Sequence, residues 1–321
     1  MEEKEKELIE CTDTNLSQDS ELQSRIDKLQ ETTKKRKNTE VKMKYKAGQL
    51  VLWPENERGI PNELVRCAVF SAKNRKVKRE IYSPKAPLII PLIGGGNIVF
   101  FGEELRQDDE TVWMQLVHLA KESRSEQITF TPYSFLKSIH WDTHGENYDR
   151  LLVSFRRLYS AGLEIYSQRF DSGITVKLLS GYDYAKENIK KPWKVKVFDE
   201  SGNLLSLFDK MYSRVDLKMR LELPDGITTW LHSFFASHKE PYAHKIETLA
   251  KGAGITLDSK EDELLEEKER IAKRKKRLNE SKRLIESALK RLVETGFLEK
   301  YEITEDNLVY VTRANALTIG V

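Results

Sequence analysis

The feature that most limits what this chain can fold into is an internal repeat. Leu151, Phe155, Leu158, Gly162 and Leu163 recur in kind and spacing as Ile285, Leu289, Leu292, Gly296 and Phe297. In each copy the apolar residues return at helical spacing, a glycine ends the helix as a left-handed cap would, and a strand-like stretch follows. The first copy turns at Asp171, Ser172 and Gly173 into a second strand beginning at Ile174, and the second copy turns at Glu305, Asp306 and Asn307. The upstream order matches as well. Thr111, Val112 and Trp113 open a first helix in one copy, as Thr228, Thr229 and Trp230 do in the other, and each is followed by one more short amphipathic helix. A repeated supersecondary unit constrains the whole topology, because each copy must bury its own apolar face.

Three short helices closed by a hairpin, twice over, predict an α+β chain of two tandem winged-helix (helix-turn-helix) domains. The division expected is a charged leader over 1–45, a first winged-helix domain over 46–213 and a second over 214–321. The leader is poor in aromatics and rich in Ser, Thr, Asn and Gln. Such a segment cannot bury enough apolar surface to offset the entropy of ordering, so it is expected to be disordered. Its Lys34–Lys37 cluster would add nonspecific phosphate attraction.

Within the first domain, Pro61 is expected as the first residue of a helix. Gly94, Gly95 and Gly96 join two apolar runs as a hairpin turn, without the Gly-Lys-Ser/Thr ending of a phosphate loop. A second hairpin is expected between Trp193–Phe198 and Leu204–Phe208. In the second domain, 260–295 contains no Pro or Gly and reads as one long helix whose first half is highly charged. Ile271, Leu278, Ile285 and Leu292 recur every seven residues, but the other seam position is mostly Lys, which disfavours a coiled coil.

The third helix of each unit carries the functional reading. Leu151, Leu152, Phe155, Leu158 and Tyr159 form the apolar stripe, so Arg150, Ser154 and Arg157 are expected on the opposite face, suited to a DNA groove. Arg156 is expected to be solvated or phosphate-bound. The corresponding residues of the second unit are Arg283, Ser287, Lys290 and Arg291, with Lys275 and Lys276 in the basic run just ahead. Arginine can pair with guanine in two hydrogen bonds, whereas a lysine over a phosphate attracts every sequence alike. The competing reading of the first of these helices is a core helix with a solvated Arg face, and that of the basic run 273–277 is a solvated face, since Glu266, Glu267 and Glu269 lie within helical reach of it.

Composition narrows the classes. The 54 Lys and Arg against 51 Asp and Glu, net +3, do not by themselves mark a nucleic-acid binder. Base is instead gathered at 34–37, 73–79 and 273–283. With Cys11 and Cys67 alone, a disulfide framework and a Cys-rich zinc site are excluded, which suits a reducing compartment. No signal-peptide pattern and no run of membrane-spanning length occurs, so a cytoplasmic, DNA-associated protein without membrane contact is expected.

Three groups of residues carry a family resemblance. Ile60, Pro61, Asn62, Arg66 and Phe70 form the first, and Phe101–Leu105 with Asp109 and Val112–Gln115 the second. Tyr148–Leu151 with Phe155–Leu158 form the third. They resemble the TrfA family of bacterial plasmid replication initiators over most of 50–180, and more loosely the Rep initiators built from two winged helices. The second domain matches in architecture alone, and its charged extension 260–277 departs from the pattern. The resemblance implies a protein that binds direct repeats (iterons) in double-stranded DNA at a plasmid origin and helps open adjacent AT-rich duplex. It further implies recruitment of the host replicative helicase, chromosomal initiator and sliding clamp, with single-stranded DNA and a second copy of the chain as additional candidate partners. A winged-helix repressor or autoregulator acting at an operator is the alternative.

Leu204, Leu205, Ser206, Leu207 and Phe208 resemble the Gln-Leu-Ser-Leu-Phe type of sliding-clamp motif, with Leu204 in place of Gln. The competing reading makes them a core strand. Catalytic and cofactor signatures are not found. The His-hydrophobic-His nickase triplet is missing, no Walker, kinase or serine-elbow pattern occurs, and His140 and His144 at helical spacing have no third ligand. A non-enzyme without metal or cofactor is expected.

Overall fold

The computed structural model describes residues 53–314 apart from 171, 186–189 and 210; the leader expected over 1–45 lies outside them. The strand β1 (Glu57–Pro61) runs into the one-turn helix α1 (Asn62–Val65), followed by β2 (Phe70–Ser71) and β3 (Ile81–Tyr82). A hairpin of β4 (Leu88–Pro91) and β5 (Gly96–Glu103) follows, and β6 (Leu105–Arg106) leads into α2 (Gln107–Ser123). Then come β7 (Gln127–Phe130), α3 (Pro132–Ser138), α4 (Gly145–Ser160) and the hairpin of β8 (Gly162–Ser167) and β9 (Ile174–Lys177). The middle of the chain supplies β10 (Gly181–Asp183), β11 (Trp193–Lys196), α5 (Asn203–Ser206), β12 (Tyr212–Asp216) and α6 (Leu217–Glu222). The last part is α7 (Ile227–Ala236), β13 (His244–Lys245), α8 (Ile246–Gly252) and a 3-10 turn at Lys260–Leu264. It closes with α9 (Glu267–Glu294) and the hairpin of β14 (Leu298–Ile303) and β15 (Leu308–Arg313). The architecture is mixed α+β, and the order helix, strand, helix, helix, hairpin occurs twice.

Local chemistry explains the main elements. Across β4, β5, β8 and β9, Ile90 faces Ile98, Ile98 faces Ile165 and Ile165 faces Ile174, so one apolar row crosses four antiparallel strands. Thr131 caps α3 by accepting from the Ser134 amide at 3.2 Å, with Pro132 opening the helix. In α9, Ile285, Ala288, Leu289 and Leu292 recur on one buried face that packs on α7, α8 and β14. Burying each of the larger side chains contributes roughly 1.5–3 kcal/mol.

Buried contacts also join the two halves. β1 pairs antiparallel with β12, Glu57 opposite Asp216. The Trp230 indole donates to the Cys67 carbonyl at 3.2 Å, and the Ala72 amide to the Ala253 carbonyl at 2.8 Å. Arg220 of α6 pairs with Glu110 of α2 at 2.8 Å, and its guanidinium also reaches the Thr111 and Ser233 hydroxyls and both oxygens of Gln107. Burial raises the Glu110 carboxyl above its ordinary range, against the opposing pull of Arg220.

Several expectations are corrected. Pro61 ends β1 and precedes α1 rather than opening it. Gly162 is not a left-handed cap. It lies in β8 opposite Phe101, and an added Cβ would sit 1.9 Å from that ring, so glycine serves close approach there. Gly296, at φ +75, is the left-handed residue its position suggests. The segment 260–295 is a 3-10 turn followed by a separate helix. The expected 193–208 hairpin does not form: β11 pairs with β7 and β10, while 203–206 is helical. Leu204, Leu205, Leu207 and Phe208 are all buried, and Phe208 packs on Trp53, Trp113 and Tyr212. A docking peptide must offer its side chains to a partner, and these four are spent on the core.

Candidate nucleic-acid interface

The third helices of the two repeated units differ in what they present. In α9 the face opposite the buried stripe carries Arg283, Ser287, Lys290 and Arg291, all exposed. Only Arg291 of these has a charged partner among the described residues, Glu294 at 3.2 Å, an exposed pair of small energetic weight. Lys275 and Lys276 are also exposed, one to two turns earlier. The rest of that basic run points elsewhere. Arg274 pairs with Glu247 and with Asp258 at 3.0 Å, and Arg277 pairs with Asp262 while donating to the Leu257 carbonyl at 3.2 Å. The Asp262 carboxyl is held below its usual range by the Arg277 hydrogen bond above all. The run is thus divided between two anchoring arginines, Lys273 at 3.9 Å from Asp262, and two lysines facing solvent.

The following hairpin is fixed against this helix. Lys282 donates to the Asn307 side-chain oxygen at 2.9 Å, and the Asn307 carbonyl accepts from the Ile246 amide at 2.9 Å. Asn307 itself has φ +60, the turn conformation asparagine tolerates best after glycine. Helix face and turn are therefore held in one geometry.

In α4 the expected phase is wrong. Ser154 and Arg157 are 1% and 7% exposed, and both turn inward to Asp109, which is 0% exposed. The Asp109 carboxylate accepts from Ser154 at 2.7 Å, from Arg157 at 2.8 and 3.1 Å, from Arg79 at 2.7 Å and from the Arg106 amide at 3.0 Å. Arg150 pairs with Asp108 at 3.2 Å and lies over the Trp141 ring at 3.6 Å. Burial would push the Asp108 carboxyl up, but Arg79 and Arg150 more than reverse this and hold it below the ordinary range. Tyr159, expected in the stripe, is exposed instead. The exposed residues of α4 are Gly145, Glu146, Asp149, Val153, Arg156, Tyr159 and Ser160, so Arg156 is the one cation among them.

The sequence reading missed this hub because its acids lie more than 40 residues away from the α4 side chains they pair with. The available signal was Asp108, Asp109 and Glu110 in a row at a helix start, an excess beyond what a helix dipole calls for. His140 and His144 do not share a helix: His140 follows α3 with φ +55, and His144 precedes α4. Among the described residues no helix is long and apolar enough to cross a membrane.

A family model described as TrfA protein matches residues 15–297. The chain belongs to the TrfA family. Its similarity to the plasmid replication initiator protein TrfA of Escherichia coli is 30% identity over 198 residues, which is 61% of this chain and 51% of that protein. This TrfA-family chain therefore spans about half the length of the curated relative it matches. A crystal structure of domains 2 and 3 of RctB superposes with TM-score 0.50 at 13% identity, covering 80% of this chain and 99% of that one. That likeness concerns the fold of this TrfA-family chain alone.

Proposed function

We propose that the protein is a plasmid replication initiator whose two repeated units are winged-helix modules that bind direct repeats in double-stranded DNA at its origin. The observation that carries this is the outward face of α9, where Arg283, Ser287, Lys290 and Arg291 stand exposed beside a hairpin tied to the same helix. A helix of this kind fits the major groove, its arginines can pair with guanine edges, and the hairpin lies where a wing meets the flanking backbone. Lys275 and Lys276 contribute phosphate attraction. In the first unit the DNA-facing cation is Arg156, while Arg150, Ser154 and Arg157 hold the helix in place. The name of the Escherichia coli relative supports the initiator role. Opening of AT-rich duplex and recruitment of the host helicase and chromosomal initiator belong to the proposal through family membership.

Footprinting on the plasmid's noncoding DNA tests it. Protection of a series of short direct repeats is expected, and Arg283→Ala should cost about 1–3 kcal/mol at one base position. Protection of a single operator, with plasmid copy number unaffected by loss of binding, would instead make the protein a repressor.

A further inference from the structure

Among the described residues, the loop between β2 and β3 is the most basic stretch of the first half that the DNA-binding reading leaves unused. It holds Lys73, Arg75, Lys76, Lys78 and Arg79. Two of these are internal ties: Lys73 pairs with Glu104 at 3.0 Å, and Arg79 with Asp108 and Asp109 at 3.0 and 2.7 Å. The other three are exposed and form no ion pair with a described residue.

The loop is unusually well fixed for an exposed segment. Arg106, 1% exposed, reaches up from the core and donates to the carbonyls of Asn74 at 2.5 Å, Val77 at 2.8 Å and Lys78 at 3.2 Å. Its own charge is met by Glu104 at 2.8 Å. The Asn74 side chain accepts from the Lys76 amide at 2.9 Å, and its carbonyl from the Val77 amide at 3.1 Å. The ordering entropy of the loop is therefore met on folding, and three cations are offered on a preset backbone.

The position of this loop gives it a partner. Asn74, Arg75 and Lys76 line a cleft of about 520 Å³ together with Leu284 of α9 and with Gly226 and Ile227 at the start of α7. Leu284 is exposed and sits next to Arg283 at the margin of the helix's outward face. Of the two carboxylates on the cleft, Asp108 is occupied by Arg79 and Arg150, which leaves Asp225 as the one opposing charge. Cations of the first half thus border the proposed reading helix of the second.

We propose that Arg75, Lys76 and Lys78 form a phosphate-binding strip that continues the α9 surface, gripping the DNA backbone on the flank away from the β14–β15 hairpin. The proposal rests on the DNA-binding reading and extends it to a site on the other half of the chain. The cleft is too small for a duplex, so one phosphodiester strand crosses its mouth while the groove itself receives α9. Contacts of this type position the protein and raise affinity for all sequences equally.

The test is the full-length triple variant Arg75→Gln/Lys76→Gln/Lys78→Gln against wild type on a footprinted repeat. The plot of log affinity against log salt should flatten by roughly 0.9 for each phosphate no longer neutralised, so by roughly 2.7 for three, with base preference and unfolding midpoint unchanged. A photo-crosslinker at Lys76→Cys should label backbone flanking the protected repeat. Wild type that binds repeats with a slope the triple variant reproduces, or label confined to bases inside the repeat, overturns the strip and leaves the DNA-binding reading intact. Wild type that protects no DNA overturns both.

Discussion

Replacing Arg157 by alanine separates a DNA-contacting arginine from a structural one. The side chain is 7% exposed and makes two hydrogen bonds to Asp109, at 2.8 and 3.1 Å. Removing one partner of a buried ion pair costs about 3–5 kcal/mol, because the remaining charge stays desolvated. Asp109 keeps Arg79, Ser154 and the Arg106 amide, so the lower end, about 3 kcal/mol, is expected. An exposed arginine would cost about 0–1 kcal/mol. At this size each kcal/mol moves Tm by about 2–4 °C, giving a fall of about 6–12 °C. Urea unfolding should show a lower midpoint at unchanged slope, since the surface exposed on unfolding hardly changes. DNA affinity, corrected for the folded fraction, should stay within a few-fold of wild type. A wild-type Tm combined with a tenfold or greater loss of repeat binding would refute the inward assignment of α4 and return Arg157 to the groove.

Further outcomes follow from other sites. Lys275→Gln/Lys276→Gln should lower the salt dependence of DNA binding by roughly 1.8 in slope with little change in stability; Arg274→Gln/Arg277→Gln should lower the unfolding midpoint and leave the slope near wild type. Gly162→Ala places a methyl against the Phe101 ring and should destabilise by about 1–3 kcal/mol, an effect that Phe101→Ala in the same chain should largely absorb. Acid should weaken the fold: burial, with nearby arginines, lowers His232 to about 3, burial lowers His238 to about 4, and burial with Arg58 and Lys121 lowers His118 to about 4. The unfolded chain then binds protons that the folded chain refuses, so stability is full above about 6.5 and falls as pH drops towards about 4. Urea midpoints across this range should show that decline, and His232→Leu should make it shallower; a flat profile would contradict it.

How far the residues announce this structure depends on where their partners are. Repeat order and the apolar stripe of α9 are local patterns, and periodicity exposes them directly, whereas the four-isoleucine row depends on the pairing of β5 with β8. The phase of α4 is not local. Ser154 and Arg157 look like an outward face until Asp109, remote in sequence and held at the start of another helix, is placed beneath them. A polar residue counts as exposed in any periodicity reading, so a buried network shifts the apparent face of its helix. Leu204–Phe208 misleads for a related reason: five residues of which four are apolar suit a strand, a docking peptide or one helical turn in the core. Only the aromatic cluster around Phe208 decides among them.

The buried pairing of Arg220 with Glu110 bears on how this chain can be recombined. The guanidinium is contributed by the segment after residue 213 and the carboxylate by the segment before it, and neither has solvent to fall back on. The expected boundary between 213 and 214 also cuts through β12, the strand that pairs with β1. A chimaera joined between 213 and 214 to a relative's second half must therefore import an arginine at this place and a strand end that continues the β1 register from Arg214 to Asp216. Without both, it carries an orphaned carboxylate and an unpaired edge at its own junction. Recombination within the family is accordingly expected to respect blocks that cross the expected boundary between the repeats, with α6 inherited alongside α2 as well as alongside the helix it leads into, whose Ser233 the same guanidinium reaches.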